Sequence, residues 1–293
     1  MVSSFPCTMM VPRSDTLVTL NFSRNTFAFL GGHGVGVLES FKNRLVSCVN
    51  LEDLDVSRNF LGHERFEALC EVFPRLPKLS KLNLAYMDLQ PGSLETLSNV
   101  VSKCLNLSML DVSRNHMIKQ LSSEGTMEAI QFKTFVGCLR HCRWLSILNF
   151  GHFGFCPISL KLLFENLPKC HALTSLHLKG NKIARIGMDI VTANLPFLTS
   201  LKCLDLSANI IEDNHATALL DVMESHACLK DIRLRLNFIS EEGRTNIKNR
   251  VHSFARPSSV DLEGCDFAYR KFDDYCYTQY WTDMWIGQLE EMD

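Results

Sequence analysis

Three groups of residues are of types that can do chemistry. Cys138, His141 and Cys142 in "CLRHC", with Cys170 and His171 in "CHA", are metal-ligand types. A zinc site needs four ligands converging on one point, however. The run "GGHGVG" at 31–36 is glycine-rich like a phosphate cradle, but no Lys-Ser/Thr pair follows it, and a flexible loop is expected there. Ser, His and Asp are all present, yet no nucleophile elbow or other catalytic spacing joins them. The expectation is a non-catalytic chain with no metal, no cofactor and no small-molecule substrate.

The composition is that of an ordinary globular protein, 46% hydrophobic and 21% charged over 293 residues, long enough to bury a sizeable core. Net charge is −2, so no global basic field argues for nucleic acid. No apolar run approaches the ~20 residues of a membrane helix, and no membrane partner is expected. The start, "MVSSFPCTMMVPRSD", lacks the apolar core of a signal peptide and makes a thin case for a mitochondrial presequence. Twelve cysteines without a secretion signal suggest reduced thiols and a cytoplasmic location, with an organelle assembly left open. The N-x-S/T triplets at Asn21 and Asn106 are expected by chance.

Residues such as these must be positioned by some element, and the chain spells that element repeatedly. "LEDLDVSRN" at 51–59 and "LSMLDVSRN" at 107–115 are two copies of the pattern L-x-x-L-x-L-x-x-N. It starts at Leu17, Leu51, Leu79, Leu107, Leu145, Leu173, Leu201 and Leu229, with a degenerate ninth copy at Pro257. Successive starts are 28 residues apart except for steps of 34 and 38, which read as insertions near 28–36 and 118–128. Two residues past the Asn place stands a large apolar residue, among them Leu61, Leu89, Ile183 and Ile239. Apolar i, i+4 pairs follow, such as Leu69/Phe73, Leu97/Val101, Phe135/Leu139 and Leu219/Met223. Each unit is therefore a short strand, a turn and a helix of about three turns, and units must stack to bury both faces.

The sequence resembles the leucine-rich-repeat superfamily, and its 28-residue helical units resemble the ribonuclease-inhibitor-like subclass. The likeness covers residues 17 to 265 in about nine units, after an N-terminal extension of residues 1–16. It implies an α/β solenoid, a horseshoe with a parallel β-sheet on the concave face and helices on the convex face. It also implies protein–protein binding, since the family's concave face is commonly a docking surface.

Within the repeat, Asn25, Asn59, Asn115, Asn181, Asn209 and Asn237 are expected to turn inward and satisfy open backbone groups. Met87 and Phe153 break that column, so 87–153 reads as locally irregular. Cys48, Cys104, Cys142 and Cys170 share a column with Leu76 and Leu198, three residues before a repeat start, which makes it a core position.

The residues either side of the second Leu should project from the concave face. In repeat order these are Thr19/Asn21, Asp53/Asp55, Lys81/Asn83, Met109/Asp111, Ile147/Asn149, Ser175/His177, Cys203/Asp205, Asp231/Arg233 and Ser259/Asp261. Asp or Asn dominates the second place, either hydrated or as a polar docking ladder, and Lys202, Lys230, Arg233 and Arg235 make the far end more basic. Just before the Asn, Arg24, Arg58, Tyr86, Arg114 and His152 give way to Gly180, Ala208, Leu236 and Gly264. Arg and Tyr are enriched at binding hot spots; alternatively Arg58 pairs with Asp55 and Arg114 with Asp111 as exposed ion pairs of little worth.

Residues 266–293 hold four of the five Tyr, two of the three Trp, and seven acids against two bases. Tyr277, Trp281, Trp285 and Leu289 recur every four residues, as in an amphipathic helix that caps the array or docks into a partner. The combined expectation is a scaffold that binds one or more proteins, as a subunit of a larger intracellular assembly. The alternatives are a regulator of a partner enzyme, either a small GTPase or a ubiquitin ligase, and a ribonucleoprotein-associated subunit. The sixteen residues before Leu17 leave no room for a ligase adaptor's box domain, and only the arginine column supports an RNA role.

Overall fold

A computed structural model describes residues 16–25, 34–115 and 123–265. Nine three-residue strands form one parallel sheet in chain order: β1 Thr19–Asn21, β2 Asp53–Asp55, β3 Lys81–Asn83, β4 Met109–Asp111, β5 Ile147–Asn149, β6 Ser175–His177, β7 Cys203–Asp205, β8 Asp231–Arg233 and β9 Ser259–Asp261. Every repeat start predicted a strand, and the register pairs the same place in each unit, as in Leu54↔Leu82 and Leu82↔Leu110. Between the strands run α1 Gly34–Val46, α2 His63–Cys70, α3 Ser93–Lys103, α4 Met127–Cys138, α5 Pro157–Phe164, α6 Arg185–Asn194, α7 Asp213–Ser225 and α8 Glu241–His252. Strands pack ~4.8 Å apart and helices ~10 Å apart, so stacking one of each per unit bends the array with the sheet inside.

The core runs the length of the array between the two layers. In the unit that starts at Leu51, Leu51, Leu54, Val56 and Leu61 meet Phe66, Leu69 and Phe73, all buried. At the N-terminal edge of the strands the Ser80, Ser108, Ser146 and Thr174 hydroxyls each donate to the carbonyl one unit earlier, at Glu52, Ser80, Ser108 and Ser146.

Four helices are shorter than the i, i+4 pairs suggest. Phe73, Leu139, Leu167 and Leu195 lie in separate 3-10 turns after α2, α4, α5 and α6. In three of these Pro74, Pro168 or Pro196 follows at once, and a proline lacks the N–H needed to continue an α-helix. One loop assignment also needs correction: α1 begins at Gly34, so 34–36 are helical. Beyond the second insertion, the Thr126 hydroxyl accepts from Ala129 N–H and starts α4 at Met127.

The expected irregularity across 87–153 is absent from the strands, which keep register through β3, β4 and β5. Met87 and Phe153 are buried, and Phe153 joins a cluster with Phe132, Phe150 and Phe155 at centroid distances of 6.0, 4.9 and 5.4 Å. Their own backbone N–H groups are accepted by the next unit, Met87 N–H by Asn115 Oδ1 and Phe153 N–H by Asn181 Oδ1. The lost amide is thus replaced by apolar packing.

Candidate interaction face

The Asn column works in both directions. Asn115 Nδ2 donates to Leu84, Val112 and Ser113 carbonyls, while its Oδ1 accepts from Met87 and Leu89 N–H in the preceding unit. Asn181, Asn209 and Asn237 repeat the pattern. At Asn59 the Nδ2 bonds are present, but among the described residues the buried Oδ1 has no donor. In the ninth unit buried Cys265 replaces Asn and its thiol donates to the Leu234 carbonyl at 3.0 Å.

The residue before each Asn is left-handed in all nine units, with φ from 52° at His152 to 73° at Gly264. A non-glycine residue pays roughly 1–2 kcal/mol there, yet Arg24, Arg58, Tyr86 and Arg114 hold the place. The Arg58 side chain leans toward the following unit. The Arg58 guanidinium lies 5.6 Å from the Tyr86 ring centroid. Phe60, not foreseen from the sequence, meets Tyr86 edge-on at 5.1 Å, and both rings are about 40% exposed. Arg58 makes no ion pair with Asp55 among the described residues; Asp55 Oδ1 accepts from Ser57 N–H at 2.9 Å, and the Arg58 guanidinium lies over Tyr86 instead. Further along, the His152 ring lies over Gly180, where an added Cβ would sit 1.9 Å from it.

The second place of each strand proves largely structural rather than merely hydrated. Asn21, Asp55, Asn83, Asp111, Asn149, Asp205 and Asp261 each accept the backbone N–H two residues on. The two exceptions, His177 and Arg233, flank one of these acids. His177 Nδ1 is 3.6 Å and Arg233 Nη1 3.7 Å from Asp205 Oδ2. Burial pushes the Asp205 carboxyl up, but bonds from His177 and from Ser207 outweigh it and hold the group below the ordinary carboxylate value.

Ser175 Oγ is 3.0 Å from His177 Nε2, so Ser175, His177 and Asp205 stand in the order of a hydrolase relay that sequence spacing did not reveal. The strand N–H groups beside it are already given away, Ser175 N–H to Ser146 and Cys203 N–H to Thr174, so they cannot hold an oxyanion. The trio acts as a polar cross-link of two strands, β6 and β7, and Arg233 extends it to β8. Elsewhere Lys81 Nζ is 3.6 Å from Asp53, and Arg235 reaches Glu263 at 2.9 Å. Met109 and Ile147 put an apolar step in mid-face. Tyr277, Trp281 and Trp285 lie outside the described residues.

The cysteine column is core: Cys48, Cys104, Cys142 and Cys170 are buried beside Leu76 and Leu198. Burial pushes the thiols up, Cys104 and Cys142 to about 12 and Cys170 to about 11. Among the described residues no group of three or more His, Cys, Asp or Glu side chains is placed to hold a metal.

One open sheet of in-register parallel strands, one helix per unit and a shared Asn define a leucine-rich-repeat solenoid of the ribonuclease-inhibitor-like kind. The chain is similar to Protein NLRC5 of Homo sapiens, 28% identical over 228 residues that make up 76% of this chain and 11% of that protein. Protein NLRC5 of Ictalurus punctatus is 25% identical over 198 residues, 68% of this chain and 10% of that protein. The chain thus spans about a tenth of the length of these curated relatives. Among solved structures, the leucine-rich repeat-containing protein LegL7 from Legionella pneumophila superposes with TM-score 0.55 at 18% identity, covering 79% of this chain and 70% of that one. No protein-family model matches.

Proposed function

We propose that this chain is a protein-binding scaffold, working as a subunit of a larger intracellular assembly through its concave face and the left-handed edge beside it. Likeness to leucine-rich-repeat proteins supports a protein-interaction role. The observation that carries the location is the cluster of Arg58, Tyr86 and Phe60. All three of its members have positive φ, which disfavours any side chain, and its rings remain about 40% exposed. A cation stacked on an exposed ring beside a second ring is the composition of a hot spot. Arg24 and Arg114 extend the same line, and Asp53, Lys81, His177, Arg233 and Arg235 supply charge along the adjoining ladder. Tyr277, Trp281 and Trp285 of the tail, which lie outside the described residues, are further candidates, to cap the array or to dock into a partner.

Replacing Arg58, Tyr86 and Arg114 together by Ala tests the reading. Proteins captured from native cells by the unaltered chain should be lost, while the melting temperature stays nearly unchanged, since Ala at these left-handed positions bears the same backbone penalty as Arg or Tyr. Unchanged capture would place the partner elsewhere. Binding that collapses as salt rises would instead point to the ribonucleoprotein reading.

A further inference from the structure

The loops that enter the strands all lie at one edge of the sheet, opposite the left-handed turns, because every strand is parallel and in register. Five successive loops, residues 74–80, 102–108, 139–146, 166–174 and 195–202, contain Arg75, Lys78, Lys103, Arg140, Arg143, Lys169 and Lys202 and no Asp or Glu. All seven cations are exposed, and none forms an ion pair among the described residues. Large apolar side chains stand among them, Leu105 at 54%, Trp144 at 66% and Phe197 at 62% exposed. The partial negative charge at helix ends attracts cations, which accounts for Arg75, Lys103, Arg140 and Lys169 in last turns. It does not account for Lys78, Arg143 and Lys202, or for bare apolar tips beside them.

We propose that this edge rests on an anionic lipid surface, with Leu105, Trp144 and Phe197 dipping among the headgroups and the cations against the phosphates. The edge of an in-register sheet offers its loops at one level, so tips from several units meet a flat surface together. An indole with aliphatic and phenyl neighbours, ringed by Lys and Arg that extend toward phosphate, is the interfacial combination. Single-stranded nucleic acid would want a ring at each step, whereas Leu105 and Pro77 have no π face. The contact is peripheral: among the described residues no helix is long and apolar enough to cross a membrane. It uses an edge that protein docking does not, so either proposal can fail alone.

The test is co-sedimentation of the full chain with phosphatidylcholine vesicles, with and without about 30% phosphatidylserine, at about 0.1 M salt. The chain should pellet with the anionic vesicles only. Trp144→Ser, and separately the pair Lys78→Glu with Arg143→Glu, should each weaken binding at least ~tenfold. None of these residues is buried, and neither charge reversal lies in a helix's last turn, so an unchanged melting temperature certifies folding. No partition to anionic vesicles, or partition that both variants leave intact, overturns the proposal. So does binding of a single-stranded oligouridylate that the variants abolish while vesicles remain unbound.

Discussion

His226 shows how one residue in a repeated column can acquire its own chemistry. It occupies the place of Leu76, Cys104 and Leu198 and is equally buried. Its Nδ1 accepts Cys228 and Leu229 N–H at 3.1 and 2.9 Å, which fixes a neutral ring whose Nε2 faces the Leu198 carbonyl at 3.2 Å. Burial, with the nearby Arg256 charge, outweighs the carbonyl and holds this imidazole below its ordinary 6.5. The unfolded chain therefore takes the proton first. Stability should be level above about pH 6.5 and decline as pH falls through the folded value. Urea melts from about pH 8 to about pH 5 check this, and His226→Leu should flatten that part of the slope; an equal slope would assign it elsewhere. Nothing in the sequence marked His226, because its role depends on two N–H groups that only the turn brings round. The Asp of "LDVSRN" is similar: its position on the face was legible, its bond to the turn was not.

At the scale of one unit, the shared Asn is the joint between neighbours. Asn115→Ala would strip the acceptor from two buried N–H groups, Met87 and Leu89, at roughly 1–3 kcal/mol each. Asn59→Ala removes the same volume and the same kind of Nδ2 bonds, but among the described residues no N–H depends on its Oδ1. Urea denaturation should show Asn115→Ala costing at least ~2 kcal/mol more than Asn59→Ala. Equal losses would mean that the amide donor, not the acceptor, carries the column. Spacing made the strands legible because each Leu must stack on its counterpart 28 residues away. Helix length was less so: an i, i+4 pair such as Leu167 and Leu163 looks alike whether a helix continues or Pro168 tightens its end into a 3-10 turn. Phe153 misled in the opposite sense, since one missing Asn bond suggests local irregularity until neighbouring phenylalanines are seen to close around it.

Over the whole molecule, the ends differ from the middle. The ninth unit stacks β9 on β8 with Cys265 in the Asn place, and no described unit follows it. The proposed cap makes a direct prediction: removing 277–293, with Trp281 and Trp285, should lower the melting temperature by several degrees, roughly what 1–2 kcal/mol gives in a chain of this size. An unmoved melting temperature would leave those aromatic residues for a partner. What the sequence could not express is how the faces divide their work. Period 28 places Asp205 and Trp144 on different surfaces, but only the spatial arrangement shows that the first is tied up among His177 and Arg233 while the second stands bare.

The two-way amide of the Asn column also gives the array a direction in time. Among the described residues, four turns have N–H groups that are accepted by the Asn of the unit that comes after: Met87 waits for Asn115, Phe153 for Asn181, Ile183 for Asn209 and Ile211 for Asn237. A chain that has left the ribosome only as far as one of these turns therefore carries it unfinished at its newest end. That turn closes only when another 28 or so residues have emerged.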